Sequence, residues 1–169
     1  MHYRTLTIAT AAVLIGSWTS AQAQTNIGSF RVWNAYTAEA AYGKVCFIAS
    51  QPQDSRYSQS VSARDPVFFM ITSVPARSIQ NETSTIIGYA LAQDAHVTVD
   101  IDGQKFELFT DYSDAAWARP EEEAALVAAM KAGTRMTVQG KSRRGTITTD
   151  IYSLLGVTAA LDKIASECS

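Results

Sequence analysis

The feature that most constrains the fold is an alternating segment, HVTVDIDGQKFELF, at residues 96–109. Apolar residues occupy every second position on both sides of an Asp-Gly pair, which is the usual pair for a two-residue turn between antiparallel strands. We therefore expect Val99 to lie opposite Phe106 and Val97 opposite Leu108, on one apolar face. A hairpin with one apolar and one charged face is typical of an antiparallel sheet that covers a core.

Other stretches of the chain predict further strands and the loops between them. Residues 51–66 and 75–84 are polar segments that contain proline, and both are predicted to be loops, the first being the more flexible. Residues 24–29, which precede the first predicted strand, are mostly polar and are called the polar lead. Runs rich in β-branched and aromatic residues predict strands at residues 30–36, 44–51, 66–74, 85–91, 135–140 and 146–152.

Two helices are predicted, one in mid-chain and one at the C-terminus. The first runs from Pro120 to Ala132, because a proline is tolerated in the first turn, three glutamates follow it, and Gly133 stops it. Its apolar stripe is expected to contain Ala124, Leu126, Val127 and Met130. The second places Val157, Leu161, Ile164 and Cys168 on one face at helical spacing. The chain is therefore predicted to be mainly β, antiparallel, with two helices.

The first residues have the layout of a secretory signal peptide. A short basic start with Arg4 is followed by an apolar run from Leu6 to Trp18 and by Ala-Gln-Ala ending at Ala23. The run is too short to cross a bilayer, which takes roughly 20 residues. We expect cleavage of residues 1–23 and no stable membrane insertion afterwards, with residues 24–169 forming a single domain. The mature chain would be slightly more acidic than the full sequence, whose net charge is −2, and this argues against nucleic acid as a partner.

Export changes how the two cysteines are interpreted. Cys46 lies in a predicted strand and Cys168 near the end of the last helix, and the sequence contains two cysteines in all. In an oxidising compartment the expected outcome is a disulfide between them. The alternatives are two separate buried thiols or one reactive thiol.

No catalytic motif is visible in the sequence, and no cofactor is expected. His96 would be the one histidine of the mature chain, so an enzyme of the Ser-His-Asp or Cys-His type would have to use it together with nearby acids. No nucleophile elbow, phosphate-binding glycine loop or Cys-x-x-Cys pair accompanies it.

A metal site is also not expected. Asp100 and Asp102 partly match a calcium-binding loop, but Thr98 stands at the first ligand position and Phe109 at the position of the closing glutamate. The hairpin interpretation explains the same residues, since it places Asp100 opposite Lys105.

The densest basic patch lies at the tip of the predicted hairpin formed by residues 135–152. Lys141, Arg143 and Arg144 are candidate partner-contact residues, because their charges and hydrogen-bond donors suit an acidic partner, lipid headgroups or a polyanion. The favoured interpretation is a tip that is merely solvated, because such charges are common at exposed turns.

Several segments resemble the invasion-associated locus B family of exported bacterial proteins. They are GKVCFIAS, RDPVFFMITSVP, MKAGTRMTVQGKSRRGT and DIYSLLGVTAALDKIASEC, and with the stretches between them they cover about residues 30–168. The resemblance implies a small β-sandwich-like domain in the periplasm or at the envelope of α-proteobacteria, and it supplies no catalytic residues.

Together these observations predict an antiparallel β-sandwich-like single domain with one mid-chain helix and one C-terminal helix, closed by Cys46–Cys168. The predicted function is that of a periplasmic or envelope binding or accessory protein without catalytic activity, for which an unidentified envelope protein is the candidate partner. The alternatives are a periplasmic enzyme that uses His96, and a surface or secreted factor in host-cell contact.

Overall fold

The computed structural model describes residues 24–61, 63–93, 95–111 and 113–168. The predicted signal peptide, residues 1–23, lies outside the described residues. The described part contains eleven strands, two α-helices and a short 3₁₀ turn at Pro75–Arg77. The strands are β1 (Thr25–Phe30), β2 (Trp33–Ala40), β3 (Gly43–Ser50), β4 (Asp54–Tyr57), β5 (Phe68–Val74), β6 (Ile79–Ile86), β7 (Val97–Ile101), β8 (Gln104–Thr110), β9 (Ala115–Trp117), β10 (Arg135–Lys141) and β11 (Ile147–Ser153), and the helices are α1 (Pro120–Ala132) and α2 (Val157–Glu167).

The strands form one antiparallel sheet that folds back on itself. Their order is β1-β2-β3-β5-β6-β9-β8-β7-β10-β11-β4. The two halves are joined by a short pairing of β8 with β9, and their inner faces meet across the core. There the rings of Phe69 and Tyr152 lie 6.0 Å apart, and Trp33 Nε1 donates a hydrogen bond to the Ser153 carbonyl at 3.0 Å. This arrangement confirms the mainly β, sandwich-like prediction.

The hairpin formed by β7 and β8 has the predicted register. Val99 pairs with Phe106 and Val97 with Leu108, and all four side chains are buried. Asp102 and Gly103 form the turn, with φ of 49° and 97°, the left-handed values that a two-residue turn of this kind requires.

The two helices have the predicted positions. α1 begins at Pro120 and ends at Ala132, and Leu126, Val127 and Met130 form its buried face. Ala124, which was expected in that stripe, is exposed, because the side of α1 in contact with the sheet is narrower than the apolar pattern suggested.

The last helix fastens the C-terminus to the sheet. Val157, Leu161 and Ile164 are buried, as predicted. Cys168 follows the helix and forms a disulfide with Cys46 on β3, with a Cα–Cα distance of 6.1 Å. The chain end is therefore tied to the sheet both by packing and by a covalent bond.

The prediction was wrong for three polar segments. β1 lies in the predicted polar lead, β4 lies within the predicted loop 51–66, and β6 occupies most of the predicted loop 75–84. These strands carry serine, threonine and charged residues in place of an apolar alternation. In β6 the polar groups are satisfied locally, since the buried Thr85 hydroxyl donates to the Phe68 carbonyl at 2.9 Å. β4 is a four-residue edge strand, where exposed charges are common.

Candidate ligand-binding groove

The basic hairpin tip is held in place by its own turn and by a neighbouring segment. The turn between β10 and β11 closes through the Ser142 amide, which donates to the Thr146 carbonyl at 2.9 Å. The Arg143 amide donates to the Ala90 carbonyl at 3.1 Å, and the Lys141 carbonyl accepts from the amide of Ala92 at 2.9 Å. The backbone of the tip is therefore fixed against residues 90–92.

The three basic side chains of the tip do not share one site. Arg143 and Arg144 line a groove beside the hairpin, whereas Lys141 is exposed and does not line it. Of the three basic residues predicted from the sequence, two therefore line the groove and one, Lys141, lies outside it.

Three chain segments build this groove, which we call the tyrosine–arginine groove. They are residues 57–65, residues 88–90 and residues 142–148, and the groove has a volume of about 570 Å³. It is half-open to solvent, and polar and apolar side chains both line it. The lining residues are Tyr57, Gln59, Ser60, Val61, Ala63, Arg64, Asp65, Gly88, Tyr89, Ala90, Ser142, Arg143, Arg144, Thr146 and Thr148.

A buried ion pair fixes the first of these segments to the sheet. Arg64 Nη1 and Nη2 donate to the two carboxylate oxygens of Asp150 on β11, at 2.7 and 2.6 Å, and Arg64 Nε donates to the Ile87 carbonyl at 2.7 Å. The Ser55 hydroxyl donates to the same carboxylate at 2.6 Å. The side chain of Asp150 is fully buried and that of Arg64 is 7% exposed. Arg64 thus anchors the polar segment 51–66 near its C-terminal end, and Ser55 anchors it within β4.

Burial and pairing act on Arg64 in opposite directions. Burial by itself lowers the pKa of the guanidinium, but the hydrogen bonds to Asp150 and the charge of that carboxylate outweigh burial and raise the pKa. The guanidinium therefore stays charged, and its charge is matched by Asp150.

Two tyrosines flank this guanidinium. The Arg64 Cζ atom lies 5.2 Å from the ring centroid of Tyr89 and 5.8 Å from that of Tyr57, within the range of cation–π contacts. The Tyr89 hydroxyl makes a 2.7 Å hydrogen bond with the Thr148 hydroxyl. Burial raises the pKa of Tyr89, so this ring stays neutral and serves as a wall of the groove.

The residues that line the groove include no histidine and no cysteine. Ser55, which does not line the groove, donates its hydroxyl to Asp150, a buried carboxylate that is already paired with Arg64. His96 is exposed, directly precedes β7, does not line the groove, and makes no hydrogen bond within the described part of the chain. No cluster of potential metal ligands occurs among the described residues.

Sequence reasoning missed the ion pair that organises the groove. Arg64 lies in a segment predicted to be a flexible loop, and its partner lies 86 positions away. One signal was available. In the predicted β10–β11 hairpin, Asp150 pairs with Val138, and directly opposed residues of antiparallel strands point to the same face. A carboxylate on the core face requires a cationic or hydrogen-bonding partner.

Neither described helix is long and apolar enough to span a membrane. No curated protein matches the sequence significantly. Among solved structures, the fold is similar to the crystal structure of invasion associated protein B from Bartonella henselae, with a TM-score of 0.55 and 14% sequence identity over 83% of this chain and 96% of that one. That likeness establishes the fold alone. The family model for invasion associated locus B protein matches residues 33–165, which include all three segments of the groove and its anchoring ion pair. The chain therefore belongs to the invasion-associated locus B family.

Proposed function

We propose that this chain is an exported, non-catalytic protein of the bacterial envelope, located in the periplasm, that binds a partner protein through the tyrosine–arginine groove. Three observations support export. The first 23 residues have the layout of a signal peptide, the disulfide suits an oxidising compartment, and segments of the chain resemble a family of exported bacterial proteins. Host-cell contact is not part of the proposal, because nothing in the described structure favours it.

The observation that carries the binding function is the anchoring of the groove wall. The described residues of segment 57–65 have little regular structure beyond the end of β4, yet Arg64 holds them through three hydrogen bonds to buried acceptors. A surface that is already ordered loses less conformational entropy when a ligand binds. Tyrosine and arginine, which line this groove, are also enriched at protein interfaces.

Site-specific photo-crosslinking in cells tests this function. A photoreactive amino acid replaces Val61, which is 41% exposed in the groove, or, as a matched control, Leu155, which is 62% exposed at the opposite end of β11. We expect a discrete protein adduct from position 61 and none from position 155. Absence of any adduct at 61, or the same adducts at both positions, would contradict the proposal.

Location and catalysis need separate measurements. Osmotic release of the periplasm should liberate a protein that begins at Gln24, and protease treatment of intact cells should leave it protected; digestion in intact cells would place it on the surface instead. Adduct formation at position 61 should be unchanged in the His96→Ala variant. A loss of adduct with an intact fold would bring the histidine back as a functional residue.

A further inference from the structure

We propose that two copies of this chain associate through the outer face of the β2-β3-β5-β6-β9-β8 half of the sheet. We call this surface the aromatic face. It carries large apolar side chains that the fold leaves partly exposed: Tyr36, Val45, Phe47, Phe68, Met70, Ile86, Phe109 and Trp117. The aromatic face shares no residue with the tyrosine–arginine groove, so the inference goes beyond the proposed function and does not depend on it.

Strand register places these side chains on one surface, because directly opposed residues of antiparallel strands point to the same face. The longest row crosses six strands and consists of Asn34, Ala49, Met70, Ser84, Trp117 and Phe109. The neighbouring rows are Ala38-Val45, Tyr36-Phe47-Thr72-Glu82 and Phe68-Ile86-Ala115. The rings of Tyr36 and Phe47 stack with centroids 5.0 Å apart, and those of Phe109 and Trp117 lie 6.2 Å apart.

The aromatic face lies on the side of the strands away from the core. Within the described part of the chain, its large side chains neither belong to the core cluster nor pack against it. The residues that alternate with them along the strands, among them Ile48, Phe69 and Ala116, are buried in that core. The buried residues of α1 and α2 belong to the same cluster. Both helices therefore pack on the inner side and leave the outer side of these six strands open.

The other half of the sheet shows the composition of a solvated outer face in this protein. Its outward rows are mostly polar and charged: Glu107-Thr98-Gln139-Thr149-Arg56 and Lys105-Asp100-Thr137-Ile151-Asp54. That alternation of outward polar and inward apolar residues is usual for an antiparallel sheet with one face in water. On the aromatic face, the outward positions are mostly apolar instead. A contiguous apolar surface of this kind marks an interaction site.

A second copy of the chain fits the aromatic face in area and shape. Strands lie about 4.8 Å apart and alternate residues of a strand about 6.8 Å apart, so the rows cover on the order of 500 Å². Two such faces in contact bury on the order of 1,000 Å² in total, the area at which specific interfaces begin. Flat sheet faces stack about 10 Å apart, and a two-fold axis brings the same patch of both copies together.

The charge of the aromatic face also favours a second copy over a membrane. Glu82, at the end of its row, is the one charged residue in the four rows. The centre, around Phe47 and Met70, is uncharged, so two copies meet there without opposing like charges. Binding to anionic lipid is typically carried by clusters of about 4–8 basic residues, and these rows contain neither lysine nor arginine.

Analytical ultracentrifugation of the exported, disulfide-bonded protein between about 1 and 200 μM tests the inference. The disruptive variant is Met70→Lys, in the longest row of the aromatic face. The matched control is Thr137→Lys, which places the same charge at a half-buried, outward position of a central strand in the other half. Phe109→Ser, at a position that is 41% exposed, perturbs the face with less effect on folding. Circular dichroism and melting temperature establish that each variant folds.

We expect a monomer–dimer equilibrium with a dissociation constant in the micromolar range, because the interface is small. Met70→Lys should raise this constant at least about 100-fold, since a two-fold interface contains the substitution twice, each time as an uncompensated charge in an apolar contact. Phe109→Ser should raise it about 5- to 10-fold through lost apolar burial. Thr137→Lys should leave it within about twofold.

Photo-crosslinking of the purified protein locates the interface without disturbing the centre of the face. A photoreactive amino acid at Phe109 should give an adduct of dimer mass. The matched position is Ile147 on β11, which is 44% exposed in the other half of the sheet and should give no such adduct.

Several outcomes would overturn the inference. One is a monomer at every concentration, and another is a dimer that Met70→Lys leaves intact or that Thr137→Lys weakens equally. Crosslinking from position 109 in intact cells to a different protein, with no adduct of dimer mass, would assign the face to that protein. Binding to vesicles of phosphatidylglycerol and phosphatidylethanolamine that Met70→Lys abolishes would assign it to a membrane. The crosslink at position 61 tests the groove alone, so either proposal can fail without the other.

Discussion

Breaking the buried ion pair of Arg64 and Asp150 tests how segment 51–66 is held. The Asp150→Asn variant keeps the shape of the side chain but leaves the Arg64 guanidinium, 7% exposed, without a counter-charge. Removal of one partner of a buried pair costs about 3–5 kcal/mol, because the remaining charge stays desolvated. For a chain of this size that loss lowers the melting temperature by about 6–20 °C. Urea unfolding and thermal melts of Asp150→Asn and Arg64→Met measure it directly.

A double variant distinguishes a coupled pair from two separate residues. In Arg64→Met/Asp150→Leu neither charge of the pair remains, so we expect it to be more stable, by more than about 1 kcal/mol, than the summed effects of Arg64→Met and Asp150→Leu measured singly. The exposed pair on β4 provides the matched control, since Arg56 Nε lies 3.4 Å from Asp54 with side chains 71% and 55% exposed. Arg56→Met should cost less than about 1 kcal/mol. If Asp150→Asn lowers the free energy of unfolding by no more than Arg56→Met does, the Arg64–Asp150 pair is solvated and does not anchor segment 51–66.

Three further predictions concern the chain end and the turns. Cys168→Ser opens a loop of 122 residues and should cost at most roughly 5 kcal/mol, measured by urea unfolding with one free thiol detected by mass spectrometry. Gly156→Ala should lower the free energy of unfolding clearly more than Gly103→Ala. Both glycines have φ of +97°, but a Cβ at 156 would lie 2.1 Å from a backbone carbonyl oxygen, whereas one at 103 meets nothing within 4 Å. Equal losses of stability in urea unfolding would refute the clash. The hydrogen bond from Lys163 lowers the pKa of the Glu167 carboxylate. Any stabilisation from this pair is therefore present at neutral pH and is lost as the pH falls through the folded-state pKa. NMR titration should show that the pKa of Glu167 is higher in Lys163→Met.

Local patterns predicted the parts of the fold that they determine. The register of the β7–β8 hairpin follows from alternation around Asp102-Gly103, since a one-residue shift would turn Val99 and Phe106 out of the core. The bounds of α1 follow from Pro120 and Gly133, which start and stop a helix for stereochemical reasons. The disulfide followed from compartment and cysteine number, without any knowledge of the distance between the residues.

The parts that could not be predicted depend on contacts distant in sequence. β4 and β6 are strands because their backbones complete the hydrogen bonds of β11 and β5, and their polar side chains give no alternation to detect. The sequence identified Arg143 and Arg144 as a charged hairpin tip, but Tyr57 and Tyr89 line the same groove only once the sheet has formed. Local propensity does not predict which distant residues share a groove, because that depends on the order of the strands.

The ion pair is better understood as a positioning device than as a source of stability. Asp150 is the one charged residue that is fully buried in the described part of the chain, and replacing a buried ion pair by an apolar pair of similar volume is often neutral or stabilising. An apolar contact, however, does not fix the orientation of one segment relative to the other. The Arg64 guanidinium does, because it donates hydrogen bonds to Asp150 on β11 and to the Ile87 carbonyl beside residues 88–90. One side chain therefore fixes the 57–65 wall of the groove relative to the strand that leads from the basic tip and to the segment that holds Tyr89. The ion pair therefore sets the shape of the groove, and this role accounts for the free-energy cost of burying the Asp150 charge.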